Sequence, residues 1–154
     1  MNINLNELIP ESNFFTWGEA LYLPYIKKFY KNPTKQEQEN IKSLALKLNH
    51  VREYFKVPFK VNVWIRPNDF NDETCEHLDY NALVGGAKNS SHIYGLAVDG
   101  YFIGLDVDYC VEKLIPKLNE FKLSMELNGS KYQRNWIHLQ DRPMSDGNYR
   151  EFLP

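Results

Sequence analysis

"KNSSHIYGLAVDGYF", residues 88–102, is the stretch on which the reading of this chain turns, because His92, Gly95 and Asp99 stand close together beside small or apolar residues at Ala97 and Val98. In an extended strand alternate residues face the same way, so Ala97, Asp99 and Tyr101 share one face while Leu96, Val98 and Gly100 take the other. Gly95 tolerates positive φ, and a turn there folds His92 back beside Asp99. That places a nitrogen and an oxygen donor on one side of a hairpin-like unit. Zinc sites of the catalytic type use three protein ligands, often His and carboxylate, and keep a fourth position open. His138, in "NWIHLQ" (135–140), is the best candidate for the third, since an imidazole in a short apolar strand needs a reason. The competing reading is a hydrogen-bonded core histidine, the commoner fate of such a residue, and spacing alone does not separate the two. His50 fits that core reading or plain exposure on its helix, and His77, in an acidic loop, reads as solvated though within reach of a cleft.

The bulk properties set limits around that stretch. At 154 residues the chain is expected to form one domain with a real core, and 43% hydrophobic with 25% charged residues is ordinary for a soluble globular protein. A net charge of −2 offers no basic field for nucleic acid. No apolar run approaches the ~20 residues of a membrane-spanning helix. The opening "MNINLNELIPESNFF" lacks a basic start followed by an apolar block, so no Sec-type signal is expected and the chain reads as made in the cytoplasm. Cys75 and Cys110 do not form a disulfide framework; they read as free thiols, and neither has a CxxC partner for a zinc ribbon.

Along the chain, residues 1–33 read as an irregular, aromatic-rich arm, broken by Pro10, Pro24 and Pro33. Thr34 followed by Glu37 forms a capping box, and Ile41, Leu44, Ala45, Leu48 and Val51 continue at helical spacing, predicting a helix over 35–54. "FKVNVWIRP" (59–67) is rich in β-branched and aromatic residues and reads as a strand. Residues 68–80 read as a long acidic loop, 96–106 as a strand, and 107–121 as a helix with Val111, Leu114, Ile115 and Leu118 on one face and a kink at Pro116. "LSMEL" (123–127) and "NWIHLQ" read as two short strands joined by a turn at Gly129, and the tail from Arg142 as a loop. The sum is an α+β fold, a small antiparallel sheet with helices packed on one side.

"SSHIYGLAVD" resembles the SxHxxGxAxD signature of the zinc D-Ala-D-Ala carboxypeptidase and peptidoglycan endopeptidase family, which shares its fold with the Hedgehog signalling domain. Ser90, His92, Gly95, Ala97 and Asp99 fill its five positions. "YNALVGGAKN" is similar to that family's approach to the motif, "WIRP" (64–67) to its strand ending in Arg-Pro, "NWIHLQDRP" to the block holding its last metal ligand, and "FFTWGEA" (14–20) to an N-terminal segment of some bacterial and phage members. The likeness runs along most of the chain in the family's order. It implies a Hedgehog/DD-peptidase-like fold for 1–154 and a bound Zn2+ held by His92, Asp99 and His138. It further implies Arg66 as a catalytic and substrate-binding residue for a carboxylate or carbonyl of the peptide, which the planar guanidinium fork suits. Ser90 would hydrogen-bond near the ligand His or the substrate.

The chain departs from the family at the general base. Many members carry a Glu three residues before the last His or a second His two before it, and here those positions hold Asn135 and Trp136, neither of which is a base. Glu126, in the strand expected to pair with 135–140, is the first catalytic candidate and Asp141 the second. The resemblance implies a zinc peptidase that cuts the peptidoglycan stem peptide, as a D,D-carboxypeptidase or an endopeptidase of the endolysin type. Such an enzyme would work as a monomer on the cell wall in phage lysis or on a virion. The alternative, from the missing base, is a non-catalytic, zinc-stabilised virion or wall-binding module of the same fold.

Overall fold

The computed structural model describes residues 3–127 and 135–153. Its organising helix, α2 (Lys35–Phe55), starts where the capping box predicts: the Thr34 hydroxyl accepts from the Glu37 N–H at 3.2 Å, and the Thr34 N–H donates to Glu37 Oε2 at 2.6 Å. Ile41, Leu44, Ala45, Leu48 and Val51 are buried along one side of it. It ends at Lys56, which takes a left-handed conformation, φ 58°.

The N-terminal stretch expected to be irregular is built into the core. Thr16 and Glu19 form a second capping box that starts the short helix α1 (Trp17–Leu21), and β1 (Tyr22–Leu23) pairs with β2 (Lys28–Phe29). Ile9, Phe15, Ala20, Leu21 and Leu23 are fully buried, and Phe15 meets Trp64 edge-on with ring centroids 5.8 Å apart. Prolines break this segment into short pieces; its apolar side chains still find the same core as α2.

Five strands form the main sheet. They are β3 (Phe59–Val63), β6 (Ala97–Phe102), β7 (Ser124–Glu126), β8 (Ile137–Gln140) and β9 (Glu151–Phe152), in the spatial order β3-β6-β8-β7-β9. The first three pairings across that order are antiparallel, but β9 runs parallel to β7, so the tail expected to be a loop supplies a parallel edge strand to a mixed sheet. The acidic loop expected over 68–80 also pairs with itself, as β4 (Phe70–Asp72) against β5 (Cys75–Leu78), leading into the one-turn helix α3 (Tyr80–Leu83). Lys28 ties this hairpin to β2 through an ion pair with Asp72. Pro116 breaks the second predicted helix: α4 (Val107–Leu114) passes through a 3-10 turn (Ile115–Lys117) into α5 (Leu118–Phe121). Ile115 is consequently turned out to solvent while Leu114 and Leu118 stay buried. The Gly129 turn between β7 and β8 lies outside the described residues, but the two strands are antiparallel neighbours as expected.

Two faces of the sheet differ in chemistry. Val98, Leu139 and Met125 stand opposite one another across β6, β8 and β7, and this apolar row joins the cluster formed with α2, α4 and α5. The adjacent row carries Asp99, His138 and Glu126. The fold is therefore α+β, and the alternation of its central strands separates core from polar row.

Because the N-terminal segment is core rather than arm, Phe15→Ala should cost about 3–5 kcal/mol, the range for emptying a buried aromatic site. Urea unfolding followed by tryptophan fluorescence measures it; a loss below about 1 kcal/mol would show the segment to be peripheral.

Candidate metal centre

The signature stretch folds as a 3-10 turn (Ser91–Tyr94) followed by β6. Ser90 caps the turn, its hydroxyl accepting from the His92 N–H at 3.3 Å. Gly95 closes it at φ 71°, and there a side chain would also collide with α2: an added Cβ would lie 2.8 Å from Ile41 Cγ1. This turn brings His92 to Asp99, which the sequence pattern anticipated.

Three buried side chains meet where the turn faces the sheet. His92, Asp99 and His138 each offer a donor atom, all within 4.8 Å of one another. His138 Nδ1 donates to Asp99 Oδ1 at 2.8 Å, and His92 Nε2 lies 3.3 Å from the same oxygen. His92 Nδ1 donates to the Trp64 carbonyl at 2.6 Å. That bond fixes the tautomer, so the Nε2 lone pair is the one presented to the group. Nε2 is buried and has no hydrogen-bond partner among the described residues. Such a lone pair is costly unless something accepts it, and a cation does. The two contacts with Asp99 Oδ1, 2.8 and 3.3 Å, lie near the roughly 3.3 Å between donors about 2.0–2.1 Å from a tetrahedral ion, and an ion there would replace the His138 Nδ1 proton. Two imidazoles and one carboxylate oxygen thus fit the ion that the resemblance implies.

Electrostatics prepare the same group. Burial pushes the His92 imidazole below its ordinary range, which keeps it neutral and available as a ligand. Burial opposes ionisation of Asp99, but the contacts with His138 and His92 outweigh it and hold the carboxyl well below the usual carboxylate range. Its second oxygen, Oδ2, accepts from Arg66 Nη2 at 2.6 Å.

A cleft of about 530 Å³ opens beside the group. His138, Glu126, Ser90 and Ser91 line it, with Gln140, Arg142 and Phe152 among the other walls. Glu126 faces His138 in the strand register, as the expected β7–β8 pairing requires. Asp141 does not share this position: it is tied to α2 through Lys47 and Ser43, whose hydroxyl donates at 2.6 Å. Asn135 and Trp136 are exposed. His50 and His77 are solvent-facing and apart from the group, and both cysteines are free thiols. Three contributors escaped sequence reading. Gln140 lies two residues beyond His138, and that strand spacing was the available signal; it accepts from Ser91 Oγ at 2.9 Å. Phe152 meets the His138 ring edge-on at 6.3 Å, and the Trp64 carbonyl has no signature in sequence at all.

A buried set of two imidazoles and a carboxylate at the head of a cleft is the equipment of a metallopeptidase. Residues 25–140, most of the chain and with it His92, Asp99, His138 and Glu126, match the profile of the family described as Peptidase M15. The chain belongs to that family, the zinc D-Ala-D-Ala carboxypeptidases. No curated protein sequence matches it. Among the described residues no helix is long and apolar enough to cross a membrane.

Replacing His92 or His138 by Ala should abolish stoichiometric zinc binding and the thermal stabilisation that zinc confers, read by metal analysis after dialysis against a mild chelator. Retention of one zinc per chain by either variant would remove that residue from the ligand set. Acid should weaken the metal-free protein as well. His92 has a lowered pKa when folded, so below about pH 6.5 the unfolded chain takes up a proton that the folded chain refuses, and stability falls as pH falls. Urea midpoints in chelator at about pH 7.5 and about pH 5.5 test this sign; an equal or higher midpoint at the acid value contradicts it.

Proposed function

We propose that this protein hydrolyses a peptide bond in the stem peptide of peptidoglycan, as a D,D-carboxypeptidase or endopeptidase, with zinc held by His92, Asp99 and His138. The observation that carries the reading is the cross-strand row Asp99–His138–Glu126, which sets a candidate base next to two candidate ligands, with His138 and Glu126 both on the cleft wall. Family membership supplies the peptidase class, and the resemblance of the signature at residues 90–99 supports the Hedgehog-like arrangement and the wall substrate.

Bound zinc supplies Lewis-acid chemistry, polarising a carbonyl and acidifying water. The chain's own residues do the rest. His92 is held neutral and oriented by the Trp64 carbonyl. Glu126 takes the proton of the attacking water and returns it to the leaving amine, the role that Asn135 cannot fill. Ser90 and Ser91 offer hydroxyls on the cleft wall to the peptide backbone. Phe152 and Leu153 give that wall an apolar rim suited to the short alkyl side chains of stem peptides. On this reading the protein acts at the cell wall, in phage lysis or on a virion.

The test is digestion of purified peptidoglycan with the zinc-loaded protein, with mass spectrometry of the fragments to name the bond. New amines at a stem-peptide bond are expected. Glu126→Gln should keep zinc and lose about 10²–10⁴-fold in rate, the usual contribution of general acid–base catalysis. Undiminished turnover in Glu126→Gln would place the base elsewhere. Stoichiometric zinc without any released amine would favour a zinc-stabilised wall-binding module.

A further inference from the structure

Arg66 reaches the metal centre through both its backbone and its side chain. Its backbone N–H donates to the His92 carbonyl at 2.9 Å, and two residues earlier the Trp64 carbonyl accepts from His92 Nδ1. Residues 64 and 66 therefore hold both the main chain and the ring of His92. The Arg66 side chain continues past them to Asp99 Oδ2. Its side chain is 21% exposed against 9% for Asp99. The two oxygens of Asp99 are thus divided: Oδ2 faces the guanidinium, and Oδ1 faces His138 Nδ1 and His92 Nε2.

We propose that Arg66 is a positioning residue of the metal centre: it anchors Asp99 Oδ2 so that Oδ1 alone is offered beside the two imidazoles. This rests on the zinc reading of His92, Asp99 and His138, and it gives Arg66 a task in addition to any contact with substrate. A free aspartate rotates about Cβ–Cγ and can swing both oxygens onto one cation. A charge-assisted bond to one oxygen removes that freedom, so Asp99 would offer a bound ion one oxygen rather than two. Ligand carboxylates are commonly oriented in this way by a hydrogen-bonding partner behind them, and losing such a partner costs 10–100-fold in metal affinity or activity. Lysine keeps the charge but not the rigid fork.

Zinc affinity, measured by competition with a chromophoric chelator, is the first readout. Arg66→Ala should bind zinc about 10–100-fold more weakly, and Arg66→Lys should recover part of the loss. The second readout is the visible spectrum of the cobalt(II)-loaded protein. The unsubstituted protein should give the intense bands of a four-coordinate ion, and Arg66→Ala the weaker bands of higher coordination as Asp99 turns both oxygens inward. Circular dichroism of each variant reports folding, and Arg66→Lys carries the test if Arg66→Ala does not fold. Zinc affinity within twofold of the unsubstituted protein, an unchanged cobalt spectrum and a raised KM would overturn the proposal and return Arg66 to the substrate. Failure of the unsubstituted protein to bind zinc would instead overturn the metal reading on which it stands.

Discussion

Asp99 is a buried carboxylate, and the fold around it is arranged so that its charge is tolerated. Moving such an ion out of water costs several kcal/mol even after relaxation, a cost offset only when each lone pair finds a donor. Here His138 donates to one oxygen and Arg66 to the other, and the unprotonated Nε2 of His92 stands 3.3 Å from the first, where a cation would join the two. The three partners come from a strand, a connecting segment and a 3-10 turn that are distant in sequence. Holding them on a single side chain ties the middle of the sheet to the signature turn and to the end of β3.

The register of the sheet makes this possible. Because β6, β8 and β7 are antiparallel neighbours, Asp99, His138 and Glu126 fall opposite one another, while one residue along the strands the row becomes Val98, Leu139 and Met125. A slip of one residue would exchange the rows and put two carboxylates and an imidazole into the apolar cluster. The deep burial of Val98, Leu139 and Met125 therefore specifies the site as firmly as it specifies the core. Gly95 acts at the other boundary: its positive φ and its contact with Ile41 set the turn against α2, and with it the direction in which His92 enters.

The ends of the chain complete the surroundings. The N-terminal segment packs Phe15 against Trp64, whose carbonyl in turn orients His92, so Trp64 links the core to the site. At the other end β9 pairs with β7 and brings Phe152 to the cleft wall beside His138. Asp141, held by Lys47 and Ser43 on α2, anchors the exit from β8.

Local patterns in the sequence determined a good deal. The Thr34–Glu37 capping box and the apolar spacing that follows specify α2, because both signals act within one turn of helix. Pro116 specifies a break, because its ring removes a helix hydrogen bond wherever it stands. Ser90, His92, Gly95 and Asp99 specify a turn and strand that bring two donors together, because strand alternation and the freedom of glycine are local properties. What no local pattern contained was long-range pairing. The sequence of residues 1–33 shows prolines but not the core that their apolar neighbours join. Residues 151 and 152 have no strand signal, and pair only because β7 presents an edge. Asp141 and Glu126 are equal as carboxylates in sequence; register places one opposite His138, and Lys47 draws the other to α2. Arg66 is the sharpest case. Its chemistry suits any carboxylate, and only the tertiary structure, by ending β3 beside a buried Asp99, decided which carboxylate it meets.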